Sequence, residues 1–365
     1  MKPLRRRAAP SRLAAALVAA LSLASMAIAS AALAGCAGLA PRATFPAEAR
    51  PAAGRAERRM LSNYLPSLAG GPGDSPVYVV EGRKPGGTFF VCAGTHGNEI
   101  AGVVSAAILA ERAELSAGRL IVLPRANRSA ATYPDPERPG PPAILIPTPR
   151  GERRFAYGAR RTNPADEGRP DPAVYLHPDS SHPQDGAEAR NLDRSYPGSP
   201  DGGLTARVAF AIQRLLEVEG VAVALDLHEA NPESKLAWNI IANPKNVDLA
   251  AMAVLLLEEE GLRMAVDASA EEPRGLSHRE WGDRTKALAF LVETPNPGQL
   301  YPPRTGDPFA DPELPLGRRV AAQLAVIRAL LAAYNEAAPE GERILLEALP
   351  SRAEIEAGGL GALLE

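Results

Sequence analysis

The sequence predicts an α/β fold, a mostly parallel or mixed central sheet with helices on both faces. From residue 61 onward, short apolar runs alternate with helix-like stretches. The strand candidates are apolar throughout rather than two-faced, as strands covered on both sides must be. The chain also has the material for a large core, with 45% hydrophobic residues among 365. In order, Val-Tyr-Val-Val at 77–80 and Thr-Phe-Phe-Val-Cys at 88–92 read as strands, and the Ala-rich 98–115 as a helix. Arg-Leu-Ile-Val-Leu at 119–123 is the next strand, followed by a helix over 205–219 and a buried strand over 221–227. A strand at 238–242, a helix at 247–260, a strand at 287–292 and a long helix at 313–337 complete the pattern. Prolines and glycines, 36 and 32 in total, crowd between 133 and 200, so about 133–190 reads as a Pro-rich insertion of ordered surface loops.

The first 35 residues stand apart from the fold. Lys2, Arg5, Arg6, Arg7 and Arg12 form a basic start, and an Ala/Leu-rich run ends in Leu33-Ala-Gly-Cys36. This is the layout of an export signal and resembles the bacterial lipobox, in which the cysteine becomes the lipidated first residue. The apolar run approaches the ~20 residues that span a bilayer, but a plain span has no reason to end in Leu-Ala-Gly-Cys. Residues 36–60 then read as lipidated Cys36 plus an Ala-, Pro- and Arg-rich tether, 61–340 as the domain, and 341–365 as a tail. Removing five basic residues from a net charge of -3 leaves -8, which argues against nucleic acid as a partner. With Cys36 lipidated, Cys92 has no cysteine to pair with.

Ligands of open α/β sheets sit beyond the carboxyl ends of the strands, and chemically useful side chains collect there. His96 and Glu99 follow one strand in Cys92-Ala-Gly-Thr-His-Gly-Asn-Glu99, His228 follows another in Asp226-Leu-His-Glu229, and Glu293 ends a third in Leu291-Val-Glu-Thr294. Two imidazoles and a carboxylate with an open fourth position make a catalytic zinc site of the His₂Glu type. A separate carboxylate then serves as the proton acceptor. Singly, each residue has a plainer explanation. Thr95, Asn98 and Glu99 are suited to capping a helix, His228 to a core position, and Glu293 to a strand-end ion pair. Glu229 rivals Glu293 as the base.

Taken together, these residues resemble the zinc carboxypeptidase superfamily, and within it the succinylglutamate desuccinylase and aspartoacylase branch. The resemblance is carried by Thr95-His-Gly-Asn-Glu99, Asn191-Leu-Asp-Arg-Ser-Tyr-Pro-Gly198, Asp226-Leu-His228 and Leu291-Val-Glu-Thr294, across about 88–295. It implies a carboxypeptidase-like fold, zinc held by His96, Glu99 and His228, and Glu293 as general base and acid. Arg194 would hold a substrate carboxylate through its planar fork, with Asn191 and Asp193 beside it. Asp193 stands where the family usually has asparagine, and no sizeable β domain is evident after Glu293. The family also steadies the oxyanion with a further arginine, for which Arg138, Arg153, Arg154, Arg160 and Arg161 are all candidates.

His177 and His182 read as solvated loop residues. His278 lacks the P-C-x-x-C that a zinc deaminase needs beside its H-x-E, and no H-E-x-x-H is present. The sequence therefore points to a zinc-dependent amide hydrolase, exported and lipid-anchored in the cell envelope. A carboxypeptidase acting on small peptides, cell-wall peptides included, ranks ahead of an N-acyl amino acid deacylase. A lipid-anchored zinc-binding protein without activity is the remaining alternative. The mature protein is expected to begin at a modified Cys36, and Cys36→Ser to abolish lipid attachment. Mass spectrometry of the envelope-purified protein checks this, and an unmodified N-terminus upstream of Cys36 contradicts it.

Overall fold

The computed structural model describes residues 48–136, 138, 140–300, 310–347 and 349–364. The export signal at 1–35, Cys36 and the tether as far as residue 47 lie outside the described residues. Among the described residues the strands are β1 (Glu57–Met60), β2 (Pro76–Glu81), β3 (Lys84–Ala93), β4 (Leu115–Leu123), β5 (Ala143–Thr148), β6 (Gly151–Ala156) and β7 (Val174–Tyr175). They continue with β8 (Gln184–Asp185), β9 (Val223–Ala230), β10 (Asn239–Ala242), β11 (Ala265–Ala268), β12 (Leu288–Pro295) and β13 (Leu345–Leu346). A single turn at Pro164–Glu167 aside, the α-helices are α1 (Ile100–Arg112), α2 (Leu204–Val218), α3 (Val247–Glu259), α4 (Ser277–Arg284), α5 (Leu316–Ala337) and α6 (Arg352–Gly358).

Nine of these strands form one mixed sheet in the order β1-β2-β4-β3-β9-β12-β10-β11, with β13 added beside β4. Its centre is parallel, β4 with β3, β3 with β9, and β9 with β12. Strand periodicity sends alternate residues to opposite faces. Phe89, Val91, Leu225, Leu227, Phe290 and Val292 therefore pack in the layer that holds α1, α3 and α5. Phe90, Cys92, Ala224 and Ala289 pack in the other layer, with α2 and with Trp281 of α4. The expected α/β architecture is the one observed.

The differences lie at edges and in polar segments. Helix α1 stops at Arg112 because Ala113 is already extended, at φ -59 and ψ 136, and Leu115 opens β4. Strands β9 and β12 run on through Ala230 and Pro295, so His228 and Glu293 lie inside strands rather than after them. The span expected to be tether as far as residue 60 belongs to the domain from Glu48 onward. Glu48 accepts from Arg125 Nε at 2.9 Å, and β1 pairs with β2. The Pro-rich insertion contains the β5–β6 hairpin, and the expected tail adds β13 to the sheet and packs α6 on α5. Polar sequence hid β1 (Glu-Arg-Arg-Met) and α4 (Ser-His-Arg-Glu-Trp-Gly-Asp-Arg), since neither shows an apolar run.

One buried ion pair joins the sheet to its helical layer. Glu229 of β9 accepts from Arg319 of α5, and both side chains are fully buried. The same carboxylate caps the start of α1 through the Ala101 N–H at 3.0 Å. Burial pushes the Glu229 pKa up, and Arg319 opposes the shift. Removing one partner leaves a buried charge uncompensated, which costs about 3–5 kcal/mol. Arg319→Met is expected to lower unfolding stability by about that amount in urea titration, with a smaller loss when Glu229→Gln is made alongside it.

Candidate metal centre

The turn between β3 and α1 is shaped by glycine. Gly94 has φ +63, and a Cβ on Gly97 would meet the Ala159 carbonyl oxygen at 2.7 Å. Gly97 N–H donates to Ala159 O at 2.8 Å and Gly158 N–H donates back to Gly97 O at 3.0 Å. The close approach that glycine permits thus holds the 158–160 loop against the turn carrying His96 and Glu99.

That turn is not a capping arrangement. Glu99 occupies the N-cap position of α1 without a side-chain cap bond, and Thr95 Oγ1 instead donates to Asp226 Oδ1 at 3.2 Å. His96 Nδ1 lies 2.7 Å from Glu99 Oε1, and His228 Nδ1 lies 2.9 Å from Glu99 Oε2. Ligand atoms of His96, Glu99 and His228 all fall within 4.8 Å of one another, and all three residues are buried. His96 Nε2 is 3.0 Å from Asn191 Oδ1, an acceptor of the kind that fixes a tautomer and aims the other nitrogen at a metal. His228 Nε2 lies 2.9 Å from the charged Asp226 Oδ2, outside hydrogen-bond geometry.

The charges suit a cation. Burial pushes His228 down, but the carboxylates of Asp226 and Glu99 outweigh it and hold its pKa well above the ordinary value. Burial pushes Glu99 up, and the two histidines outweigh that and lower it. His96 is lowered by burial, with the positive charge of Arg160 adding to the effect. Carboxylates thus crowd both sides of His228, a surplus that a dication neutralises. Glu99 Oε2 lies 2.9 Å from His228 Nδ1, outside hydrogen-bond geometry. Two imidazoles and one carboxylate, buried with their ligand atoms close together, fit zinc with a fourth position open.

Glu293 completes the group. In the parallel register of β9 and β12 it stands directly beside His228, on the face that Asp226 shares. Its Oε2 has no hydrogen-bond partner. Burial raises its pKa well above the carboxylate norm, reinforced by Glu99 and Asp193 and opposed by His228 and Arg160. The rival carboxylate, Glu229, faces the other side of the sheet in its pair with Arg319.

The Asn191 to Arg194 segment also reaches the site. Asn191, expected at the substrate, is fully buried against His96. Its Oδ1 faces the His96 ring, and its Nδ2 donates to Glu188 Oε2 at 2.6 Å. Arg194 donates through Nε to Gln184 Oε1 at 3.1 Å and through Nη1 to Asp193 O at 2.6 Å. Asp193 Oδ2 lies 3.4 Å from the same Nη1, so Asp193 partly neutralises this arginine.

The structure also separates the five candidate oxyanion arginines. Arg153 pairs with Glu111 at 2.8 Å and Arg161 with Glu188 at 2.8 Å. Arg154 is exposed on β6, and Arg138 lies in the loop where Asp135 accepts from its backbone N–H. Arg160, half-buried, has no hydrogen-bond or ion-pair partner among the described residues. Its charge acts on His96, Glu188, Arg194 and Glu293. No motif marked it in the sequence; its place follows from the loop docked on Gly97. His177, expected to be solvated, is buried and meets the Tyr196 carbonyl at 2.7 Å. His182 is exposed as expected, and Cys92 is a free, buried thiol.

No family model matches the chain. A curated relative, the N-alpha-acetyl-L-2,4-diaminobutyric acid deacetylase of Halomonas elongata, is 31% identical over 155 residues, covering 42% of this chain and 31% of the relative. The chain thus matches about a third of that relative's length. Among solved structures, a succinylglutamate desuccinylase from Silicibacter is 18% identical with a TM-score of 0.44, covering 76% of this chain and 63% of that one. A metallo-carboxypeptidase from Burkholderia cenocepacia is 11% identical with a TM-score of 0.49, covering 78% and 66%.

Substituting His96 or His228 by Ala is expected to remove most of the zinc and to abolish the rise in melting temperature that zinc confers by mass action. Elemental analysis and thermal scans with and without chelator check this. Variants that keep a full equivalent of zinc would overturn the ligand set.

Proposed function

We propose that this chain, which resembles the succinylglutamate desuccinylase/aspartoacylase branch of the zinc carboxypeptidase superfamily, is a zinc-dependent amide hydrolase acting on N-acyl amino acids. The observation that carries the reading is the meeting of His96, Glu99 and His228 with Glu293 beside His228 in register. His96, Glu99 and His228 would hold a zinc ion, which would supply Lewis acidity and lower the pKa of water. Glu293 accepts the proton of the attacking water and returns it to the leaving amine. Arg160 donates to the developing oxyanion. Arg194, with Nη2 unengaged among the described residues, holds the substrate carboxylate.

Deacylation is preferred here over peptide cleavage, reversing the order drawn from the sequence. The support is the name of the relative from Halomonas elongata, which removes an acetyl group from an amino acid. A carboxypeptidase acting on small peptides is the second reading, favoured by the export-like start, and attachment to the envelope through Cys36 belongs to the same proposal. A binding protein without activity has little use for a carboxylate kept unpartnered beside the metal ligands. Zinc-loaded protein incubated with a mixed pool of N-acyl amino acids and peptides, with products read by mass, separates the three readings.

Glu293→Gln is expected to keep fold and zinc while kcat falls by about 10²- to 10⁴-fold, with KM little changed. Steady-state kinetics on the best substrate of the pool measure this, and turnover within a factor of two of the parent would remove Glu293 from the mechanism.

A further inference from the structure

Glu99 occupies the N-cap position of α1, yet the N–H groups of that helix do not hold its carboxylate. Among the described residues the contacts of its two oxygens are His96 Nδ1 at 2.7 Å, His228 Nδ1 at 2.9 Å and Gln299 Nε2 at 3.3 Å. The first two are the imidazole nitrogens on the Glu99 side, the ones placed to share a metal with that carboxylate. A ring nitrogen that binds a metal gives it a lone pair and carries no proton. With metal in place, neither imidazole donates to Glu99 through Nδ1. The Gln299 amide is the donor that remains, and its bond to an ionised carboxylate is charge-assisted.

Gln299 is buried in the turn Pro297–Gln299, which follows β12. Its amide nitrogen carries two N–H groups, and the second donates to Glu229 O at 2.6 Å. Both neighbours are acceptors, so the nitrogen end of the amide is the end that fits there. The turn is itself fastened to the segment that carries Glu99. Asn296 Nδ2 donates to Asn98 O at 3.0 Å, Asn296 N–H donates to Ala230 O at 2.7 Å, and Asn296 Oδ1 accepts from Gly298 N–H at 2.9 Å. Gln299 N–H then donates to Asn296 O at 2.9 Å. A neutral donor suits the place, because a cationic one would compete with the metal for Glu99 and a carboxylate would leave Glu99 without a donor.

We infer that Gln299 is a positioning residue of the metal centre, holding the Glu99 carboxylate toward the metal through its side-chain amide. The segment that carries Glu293 thereby also supports a metal ligand. The inference rests on the ligand set of His96, Glu99 and His228 and extends it to a residue that no sequence motif marked.

Full chain stripped of metal is titrated with zinc chloride against a chromophoric chelator, which gives the dissociation constant, and its melting temperature is read with and without zinc. Gln299→Met, close in volume but without a donor, is expected to weaken zinc binding about 10- to 100-fold. Losing the bond to Glu229 O lowers the stability of the metal-free and zinc-loaded forms alike. Weaker zinc binding, by contrast, shrinks the rise in melting temperature that a fixed zinc concentration confers. A smaller rise in the variant than in the parent therefore separates positioning from a purely structural role. Circular dichroism of the metal-free form verifies folding. If Gln299→Met does not fold, Gln299→Asn, whose amide sits one methylene further from Glu99, takes its place with the same expected loss. A dissociation constant within twofold of the parent's, with an equal rise in melting temperature, overturns the inference and leaves the ligand set standing. A parent that binds no zinc overturns the ligand set and the inference with it.

Discussion

The two-residue period of β9 is the constraint on which the site depends. His228 and Glu229 are neighbours in sequence, and the strand sends them to opposite faces of the sheet. On one side His228 meets Glu99 and Asp226. On the other, Glu229 binds Arg319 and the first turn of α1. A one-residue slip of β9 would put either Glu229 or Leu227 at the position of His228 and turn the strand's side chains to the opposite faces. The buried ion pair therefore helps hold the register that aims the metal-binding histidine, and the packing of α5 is coupled to chemistry on the far face of the sheet.

Around that strand the site is assembled from segments far apart in the chain. The β3–α1 turn supplies His96 and Glu99, and its Gly97 admits the loop that carries Arg160. The Asn191 turn reaches His96 from another direction and fixes its ring. Asp226 lies 2.9 Å from His228 Nε2 on the same strand and adds negative charge beside it. The Pro-rich stretch read as surface loops contributes more than covering, because Arg160 and the Glu188–Asn191 contact both come from its length.

Charge in the centre is unevenly distributed. Glu99, Asp226, Asp193 and Glu293 gather around two imidazoles, and the charge of Arg160 acts on His96 and Glu293. A dication would neutralise the inner surplus, and Asp193 is partly neutralised by Arg194.

The sequence by itself determined the alternation of strands and helices, because burial on both faces demands continuous apolar runs that can be read directly. It also marked His96, Glu99, His228 and Glu293 as residues brought toward one edge of the sheet, because strand ends in an open α/β sheet converge by topology and the residue types there carry their chemistry openly. Tertiary structure alone decided which of five arginines acts by its charge on His96 and Glu293, that Asn191 lies against His96, that Glu229 pairs with Arg319, and that His278 and His177 are buried. Those outcomes depend on loop docking, sheet face and side-chain partners separated by tens to hundreds of residues, such as the Gly97–Ala159 contact and the Glu229–Arg319 pair. Local pattern carries no record of such contacts, since polar residues in loops and short helices look alike whether water or the protein interior receives them.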